Sequence, residues 1–159
     1  MMEKDRNKEI PEAYIVLLKD NKVLLSRRFN TGYMDGYYGL PAGHIEKNET
    51  FLQGCIRETK EEVGVDIKPG DLEFVHLMHR NTRKEYPQGV AEGVNERVGA
   101  FFYAKGWSGE PINAEQDKCD DLSWFNLDNL PENTIPFVRY ALECISEKVF
   151  YSEFGWEDN

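Results

Sequence analysis

Apolar and polar positions change period several times along the 159-residue chain, and each change marks an element. AYIVLLKDNKVLLSRR, residues 13–28, sets two apolar runs around the turn pair Asp20-Asn21 and predicts a hairpin. FNTGYMDGYYGLPAG, residues 29–43, has four glycines and one proline, so it reads as a loop with a short extended piece before Pro41. The period then turns helical. Leu52, Cys55, Ile56, Thr59 and Val63 recur at three- and four-residue spacing, predicting a helix from about Thr50 to Val63 with one buried stripe. Thr50 with Gln53 fits a capping box, and Gly64 fits a C-terminal cap. Gly54 inside this helix costs about 1 kcal/mol against Ala, and nothing in the sequence accounts for it.

LEFVHLMHR and ERVGAFFYAKGW predict further strands on either side of a polar segment, residues 81–95. GEPINAEQDKCDD is a loop, LSWFNL a short strand and LPEN a turn. Phe137, Ala141, Cys144 and Lys148 beside Val138, Leu142, Ile145 and Val149 form an amphipathic pattern, a last helix from about Pro136 to Phe150. Strands with two interspersed helices, and no regular βαβ alternation, predict an α/β chain with a mixed sheet covered by helices on both faces. The length suits one domain, 1–159, with residues 1–10 peripheral or flexible.

Composition narrows the chemistry. A net charge of −10 disfavours a broad nucleic-acid interface, because backbone phosphates demand a basic patch. Cys55, Cys119 and Cys144 lie far apart with no CxxC pair, which fits reduced thiols. The charged start lacks a signal-peptide core, and no run approaches the ~20 apolar residues of a membrane span. A cytoplasmic protein with no membrane partner is therefore expected.

One segment resists the bland reading of acidity as a solvated surface. Glu58, Glu61 and Glu62 stand at i, i+3 and i+4 on one helix face, opposite the apolar stripe. Each like-charged pair there costs a few tenths of a kcal/mol, and two of the three sit in the last turn, where the helix dipole disfavours anions. A hard divalent cation would reverse that sign, since carboxylate oxygens and substrate phosphates bind Mg²⁺ and Mn²⁺.

The whole spaced string is more specific than the three glutamates. Gly43, five residues, Glu49, seven residues, Arg57-Glu58, Thr59, Lys60, Glu61-Glu62, Val63, Gly64, Val65 resembles the Nudix hydrolase signature G-x5-E-x7-R-E-U-x-E-E-x-G-U. The one departure is Thr59, where an aliphatic residue is usual. The resemblance implies a Nudix fold, an α/β/α sandwich with the signature as loop–helix–loop, and hydrolysis of a nucleoside diphosphate linked to another group with Mg²⁺ or Mn²⁺. It implies Glu58, Glu61 and Glu62 as metal ligands, Gly43 as a backbone contact or sharp turn, and Arg57 bracing Glu49.

Outside the signature the chain resembles the MutT-like branch. Arg27-Arg28 ends a strand where that branch carries an arginine that reaches substrate phosphate, Arg28 being the better aligned; two exposed edge arginines are the alternative. In WSGEPINAE, a GEP is followed after three intervening residues by Glu115, which the resemblance implies as a further metal ligand and a general base. LPENTIP lies where MutT-like enzymes read the base, and Asn133 offers a donor and an acceptor; a backbone role in a Pro-rich turn is the alternative. Tyr33, Tyr37, Tyr38 and Trp124 are stacking candidates, with the core the better place for Trp124. His44 adjoins the site, whereas His76 and His79 read as ordinary strand residues.

The expected activity is a MutT-like nucleoside triphosphate pyrophosphohydrolase, including oxidised purine substrates, that releases a monophosphate and pyrophosphate. The partner is a small nucleotide, with monomer or homodimer left open. The enzyme alternative is an ADP-ribose or nucleotide-sugar pyrophosphatase, against which Pro69 comes too early and Pro87 rather late. A non-catalytic Nudix module is the third reading, disfavoured because every signature glutamate is retained. The segment RKEYPQGVAEGVNER, residues 83–97, is left without a place, covering the site being one option.

Overall fold

The computed structural model describes residues 2, 4–86, 89–90 and 93–156. Pro87, and part of the 83–97 segment, lie outside these described residues. The strands are β1 (Ile10–Val16), β2 (Leu18–Lys19), β3 (Lys22–Arg28), β4 (Tyr38–Gly39), β5 (Ala42–His44), β6 (Leu72–Asn81), β7 (Glu96–Ala104), β8 (Cys119–Asn126) and β9 (Tyr151–Phe154). The helices are α1 (Phe51–Val63) and α2 (Pro136–Ser146).

β1 organises the fold because it is buried on both faces. Ala13, Ile15 and Leu17 belong to one core cluster, while Tyr14 and Val16 belong to the other, as the two-residue period of a strand requires. A strand covered on both sides needs a near-continuous apolar run, which AYIVLL supplies. The first cluster packs under α1 with Cys55 and Val63; the second packs under α2 with Phe137, Val138 and Ala141. This is the layered arrangement expected, with helices on the two faces.

The strands form two sheets rather than one. A five-stranded mixed sheet runs β5-β1-β7-β6-β9, with β1–β7 and β6–β9 parallel and the remaining pairs antiparallel. In the second sheet β3 is central, pairing β2 and β4 on one side and β8 on the other. Asp20 and Asn21 both adopt left-handed φ (52° and 60°), the mirror-image turn that matches strand twist in a two-residue hairpin.

α1 carries the cap geometry its sequence encodes. Thr50 and Gln53 make the reciprocal capping box, and Gly64 closes the helix at φ 74°. The buried stripe differs in one place: Leu52 is exposed, and Phe51 packs on the core instead. Thr59 is buried and its hydroxyl donates to Cys55 O at 2.7 Å, so its methyl packs while its polar atom is satisfied within the helix. Gly54 gains a physical reason as well. A Cβ there would stand 2.6 Å from Ile45 Cδ1 and 3.0 Å from Glu49 Oε2, so its absence lets the preceding loop lie against the helix.

α2 ends at Ser146, earlier than its periodicity predicts, and Lys148 turns the chain with φ 58° into β9. β9 is short and largely exposed, which leaves no apolar alternation to mark it. The segment 7–9 is not detached: Asn7 hydrogen-bonds Glu96, and Glu9 hydrogen-bonds His79. Among the described residues no helix is long and apolar enough to cross a membrane.

Candidate active site

β1 places the two ends of the signature against each other. Its pairing with β5 sets Glu12 opposite His44, Ala13 opposite Gly43 and Tyr14 opposite Ala42. α1 packs on both strands and brings Glu58 and Glu62 onto β5. The Ala42 N–H donates to Glu62 Oε2 at 2.9 Å. At Gly43 a Cβ would lie 2.0 Å from Glu58 Cδ. Only a glycine admits the Glu58 carboxylate at that spot.

The fourth acid arrives from a distant loop. Ile112 N–H donates to Val63 O and Ala114 N–H to Glu62 O, so the last turn of α1 pins the loop that carries Glu115. Those helix-end carbonyls have no intrahelical partner, which is why a passing extended segment docks there. Glu58, Glu61, Glu62 and Glu115 then line one cavity of about 950 Å³ together with Gly43 and Arg28.

Arg57 is the hub behind these acids. Its Nε and Nη2 donate to the two oxygens of Glu49 at 2.7 and 3.0 Å, and Nη2 also reaches His44 O at 3.1 Å. Its Nη1 donates to Glu58 at 2.8 Å and to Glu61 at 3.3 Å. The Glu49 carboxyl is held down at about 2, chiefly by the Arg57 hydrogen bond and then by the Glu46 N–H. Glu58 and Glu62 move the other way. Burial raises the Glu58 carboxyl, against which Arg57 works, while Glu61 and Glu115 add to the rise. Burial also raises Glu62, well above the ordinary carboxylate range, with Glu58 and Glu115 adding to it despite the Ala42 N–H.

Such a group of acids fits a hard divalent cation. Two carboxylates are withdrawn from water and crowded by a third, and the guanidiniums offset this only in part: Arg57, itself committed to Glu49, acts on Glu58, and Arg28 acts on Glu62. Glu58, Glu61, Glu62 and Glu115 provide the oxygen donors that Mg²⁺ and Mn²⁺ prefer. A second acid-rich group, Glu9, His79 and Glu96, has ligand atoms within 4.8 Å of one another, but His79 already pairs with Glu9 and none of the three lines the cavity.

The two arginines separate. Arg27 leaves the cavity and pairs with Asp120 at 2.7 Å, half-exposed. Arg28 lines the cavity, with Nε on Tyr33 O at 2.7 Å and Nη2 on Thr31 Oγ1 at 3.0 Å. Asn133 does not line the cavity: its side-chain amide donates to Gly36 O at 2.7 Å and its main-chain carbonyl accepts from Tyr38 N–H. Tyr33 lines the cavity, Tyr38 packs edge-on to Phe125 in the core, and Trp124 stacks on Trp107. His44 lines the cavity and contacts Glu12 at 3.4 Å; His76 is buried on Ser152 and Val149.

The deep end of the cavity contains residues that no motif marked. Arg80 lies over the Phe137 ring at 3.9 Å and pairs with Glu12 at 3.2 Å and Glu85 at 2.8 Å. Glu12 is pushed up by burial, but the His44 hydrogen bond, Arg80 and Arg97 bring its carboxyl below the ordinary value. Tyr86, from the 83–97 segment, stacks on Tyr33, and Tyr86, Gly89, Val90 and Arg97 of that segment line the cavity. The inward faces of β1, β6 and β7 carry this floor; strand alternation hinted at it, but only the pairing register joins the three.

The two-helix, two-sheet fold with a signature loop–helix–loop and converging glutamates defines a Nudix domain. The family's sequence profile, NUDIX domain, matches residues 9–143, and the chain belongs to the Nudix family. Among relatives, the NAD-capped RNA hydrolase NudC of Pseudomonas aeruginosa is 31% identical over 121 residues, 76% of this chain and 37% of that protein. The ADP-ribose pyrophosphatase of Methanocaldococcus jannaschii is 30% identical over 117 residues, 74% of this chain and 62% of the relative. The chain thus spans about a third to two thirds of the length of these relatives. A crystal structure of a MutT NUDIX hydrolase from Burkholderia pseudomallei superposes with a TM-score of 0.71 at 26% identity, covering 86% of this chain and 98% of that one.

Proposed function

We infer that this protein is a divalent-metal-dependent Nudix pyrophosphohydrolase of the MutT-like kind, converting a nucleoside triphosphate, oxidised purines included, into a monophosphate and pyrophosphate. The observation that carries this reading is the approach of Glu58 to Gly43 and of Glu62 to the Ala42 N–H, with Glu115 and Arg28 facing the same cavity. Glu58, Glu61, Glu62 and Glu115 would hold Mg²⁺ or Mn²⁺, with the Gly43 backbone alongside. A bound cation of this type neutralises the diphosphate and lowers the pKa of water for attack at phosphorus.

The chain's own residues do the rest. Arg28 presents its guanidinium to the substrate phosphates. Arg57 holds Glu58 and Glu61 in place while Glu49 anchors it, and Glu62 or Glu115 takes the proton of the attacking water. The water oxygen bonds to phosphorus, the phosphoanhydride P–O bond breaks, and pyrophosphate leaves. Arg27 and Asn133 are engaged elsewhere, so the phosphate contact falls on Arg28 and base selection on the cavity floor.

The second reading is a diphosphate joined to a nucleoside on its far side, as in ADP-ribose. It is favoured by the relatives' activities, an NAD-capped RNA hydrolase and an ADP-ribose pyrophosphatase among them. A net charge of −10 works against a polymer substrate, so a small nucleotide is the preferred partner.

The test is hydrolysis with Mg²⁺ across canonical and 8-oxo nucleoside triphosphates, ADP-ribose, nucleotide sugars, dinucleoside polyphosphates and an NAD-capped RNA. A monophosphate plus pyrophosphate from a triphosphate supports the MutT-like reading. Cleavage confined to ADP-ribose, sugars or the cap supports the second. Tight nucleotide binding without turnover would mean a non-catalytic module.

A further inference from the structure

The segment between β3 and β4 is shaped around one arginine. Asn30, Gly32, Met34 and Gly36 all have left-handed φ, at 55°, 82°, 47° and 86°. Alternating left-handed residues turn successive N–H groups inward, and here they converge on one side chain. Asp35 accepts from Thr31 N–H at 3.0 Å, Gly32 N–H at 2.9 Å and Thr31 Oγ1 at 2.5 Å. The Thr31 hydroxyl has two acceptors in reach, Asp35 at 2.5 Å and Tyr33 O at 3.0 Å. The shorter, charge-assisted contact takes its single proton, which leaves its lone pairs to the Tyr33 N–H and to Arg28. Arg28 Nη2 donates to that oxygen at 3.0 Å, while Arg28 Nε donates to Tyr33 O at 2.7 Å. The Tyr33 ring lies under the same guanidinium at 5.1 Å.

We propose that Asp35 is a positioning residue, which through Thr31 fixes the Arg28 guanidinium in the cavity for the substrate's phosphate. Arg28 alone has several staggered rotamers and would lose that freedom on binding an anion. With Nε and Nη2 already committed, the remaining donors are pre-aimed and the ordering has been done before the substrate arrives. The polarity of the relay matters. The carboxylate fixes the hydroxyl proton, and the hydroxyl then presents only an acceptor to the cation. The same donors, the Thr31 hydroxyl first, hold the Asp35 carboxyl below its ordinary value. A second support comes from the far side: the Tyr33 hydroxyl donates to Glu85 Oε2 at 3.0 Å, the oxygen that also takes Arg80 Nη1 at 2.8 Å. The loop that holds Arg28 is thereby moored to β6.

The proposal rests on the reading of Arg28 as a phosphate contact, and the experiment separates the two. Steady-state kinetics on the fastest substrate of the panel would compare wild type, Asp35→Ala, Thr31→Val, Thr31→Ser, Arg28→Ala and the double variants with Arg28→Ala. Thr31→Val removes the hydroxyl and keeps the backbone donors, so it serves where Asp35→Ala unfolds the loop. Asp35→Ala and Thr31→Val should raise KM about tenfold with a smaller change in kcat, and Thr31→Ser should restore it. In the Arg28→Ala background the same changes should alter kcat/KM less than twofold. In parallel, the ¹⁵N-edited Arg28 Nε–H signal should be resolved and slowly exchanging in wild type, and lost in Asp35→Ala. Additive losses, or an unchanged Nε–H signal, would overturn the positioning role while leaving Arg28 in place. A wild-type kcat/KM in Arg28→Ala would overturn the phosphate contact itself, and the positioning role with it.

Discussion

Gly43 and Glu58 touch so closely that a Cβ on residue 43 would lie 2.0 Å from Glu58 Cδ and 2.1 Å from its Oε1. Gly43→Ala therefore cannot be accommodated without moving the carboxylate or separating β5 from α1. Overpacking of this kind costs about 1–3 kcal/mol. Activity should fall further than stability, by about 100-fold, the loss a misplacement near 1 Å brings. Thermal unfolding and kcat/KM measured together check this, and a variant with normal turnover would refute the contact's role.

Glu62 should respond oppositely with and without metal. In the metal-free protein, Glu62→Gln removes a buried carboxylate and keeps an acceptor for the Ala42 N–H, so Tm should not fall. Turnover should drop about 10²–10⁴-fold, the range of a lost acid–base group. Wild type at 100 times the Mg²⁺ dissociation constant should gain about 2.7 kcal/mol, and chelation should reverse the gain. The variant should show little of it.

The Glu49–Arg57 pair makes a pH-dependent contribution to stability. Its carboxyl is held at about 2 in the fold, below its unfolded value, so the stabilisation is full above the unfolded carboxylate range. It is lost as pH falls from about 4.5 towards 2. Glu49→Gln should cost about 1–2 kcal/mol at pH 7, with the difference from wild type closing across that acidic window. Denaturant titrations at pH 7, 4 and 2.5 measure it; a pH-independent difference would contradict the pairing.

Arg80 is 6% exposed and balances Glu12 and Glu85. Arg80→Met keeps a long side chain on Phe137 but takes away the cation between the two acids. Glu12 is then left to Tyr14, His44 and Arg97, and Glu85 to the Tyr33 hydroxyl. This should destabilise the fold by about 3 kcal/mol, the lower end for a broken buried pair. Adding Glu12→Gln should recover part of that loss, because a buried charge that has lost its Arg80 partner is then removed. A double-mutant cycle in urea gives the coupling.

Local chemistry was legible in the sequence wherever neighbours along the chain decide it. The capping box at Thr50, the stop at Gly64, the Asp20-Asn21 turn and the acids at three- and four-residue spacing all follow from backbone geometry within one element. The spaced signature determined the family. Other outcomes depended on partners far away in sequence. Leu52 lost its place on the buried stripe to Phe51, because orientation is set by what the helix packs on. Arg27 and Arg28 are adjacent, but Asp120 and the Thr31–Tyr33 loop draw them apart. Asn133 serves Gly36 rather than the cavity. The floor of Glu12, Arg80 and Tyr86 arises from strand register and loop docking, and Gly54 is required by a loop that folds back onto its helix. Spacing along one chain sets which residues share a face; only the packing of separate elements, each burying its own apolar side, decides what that face meets.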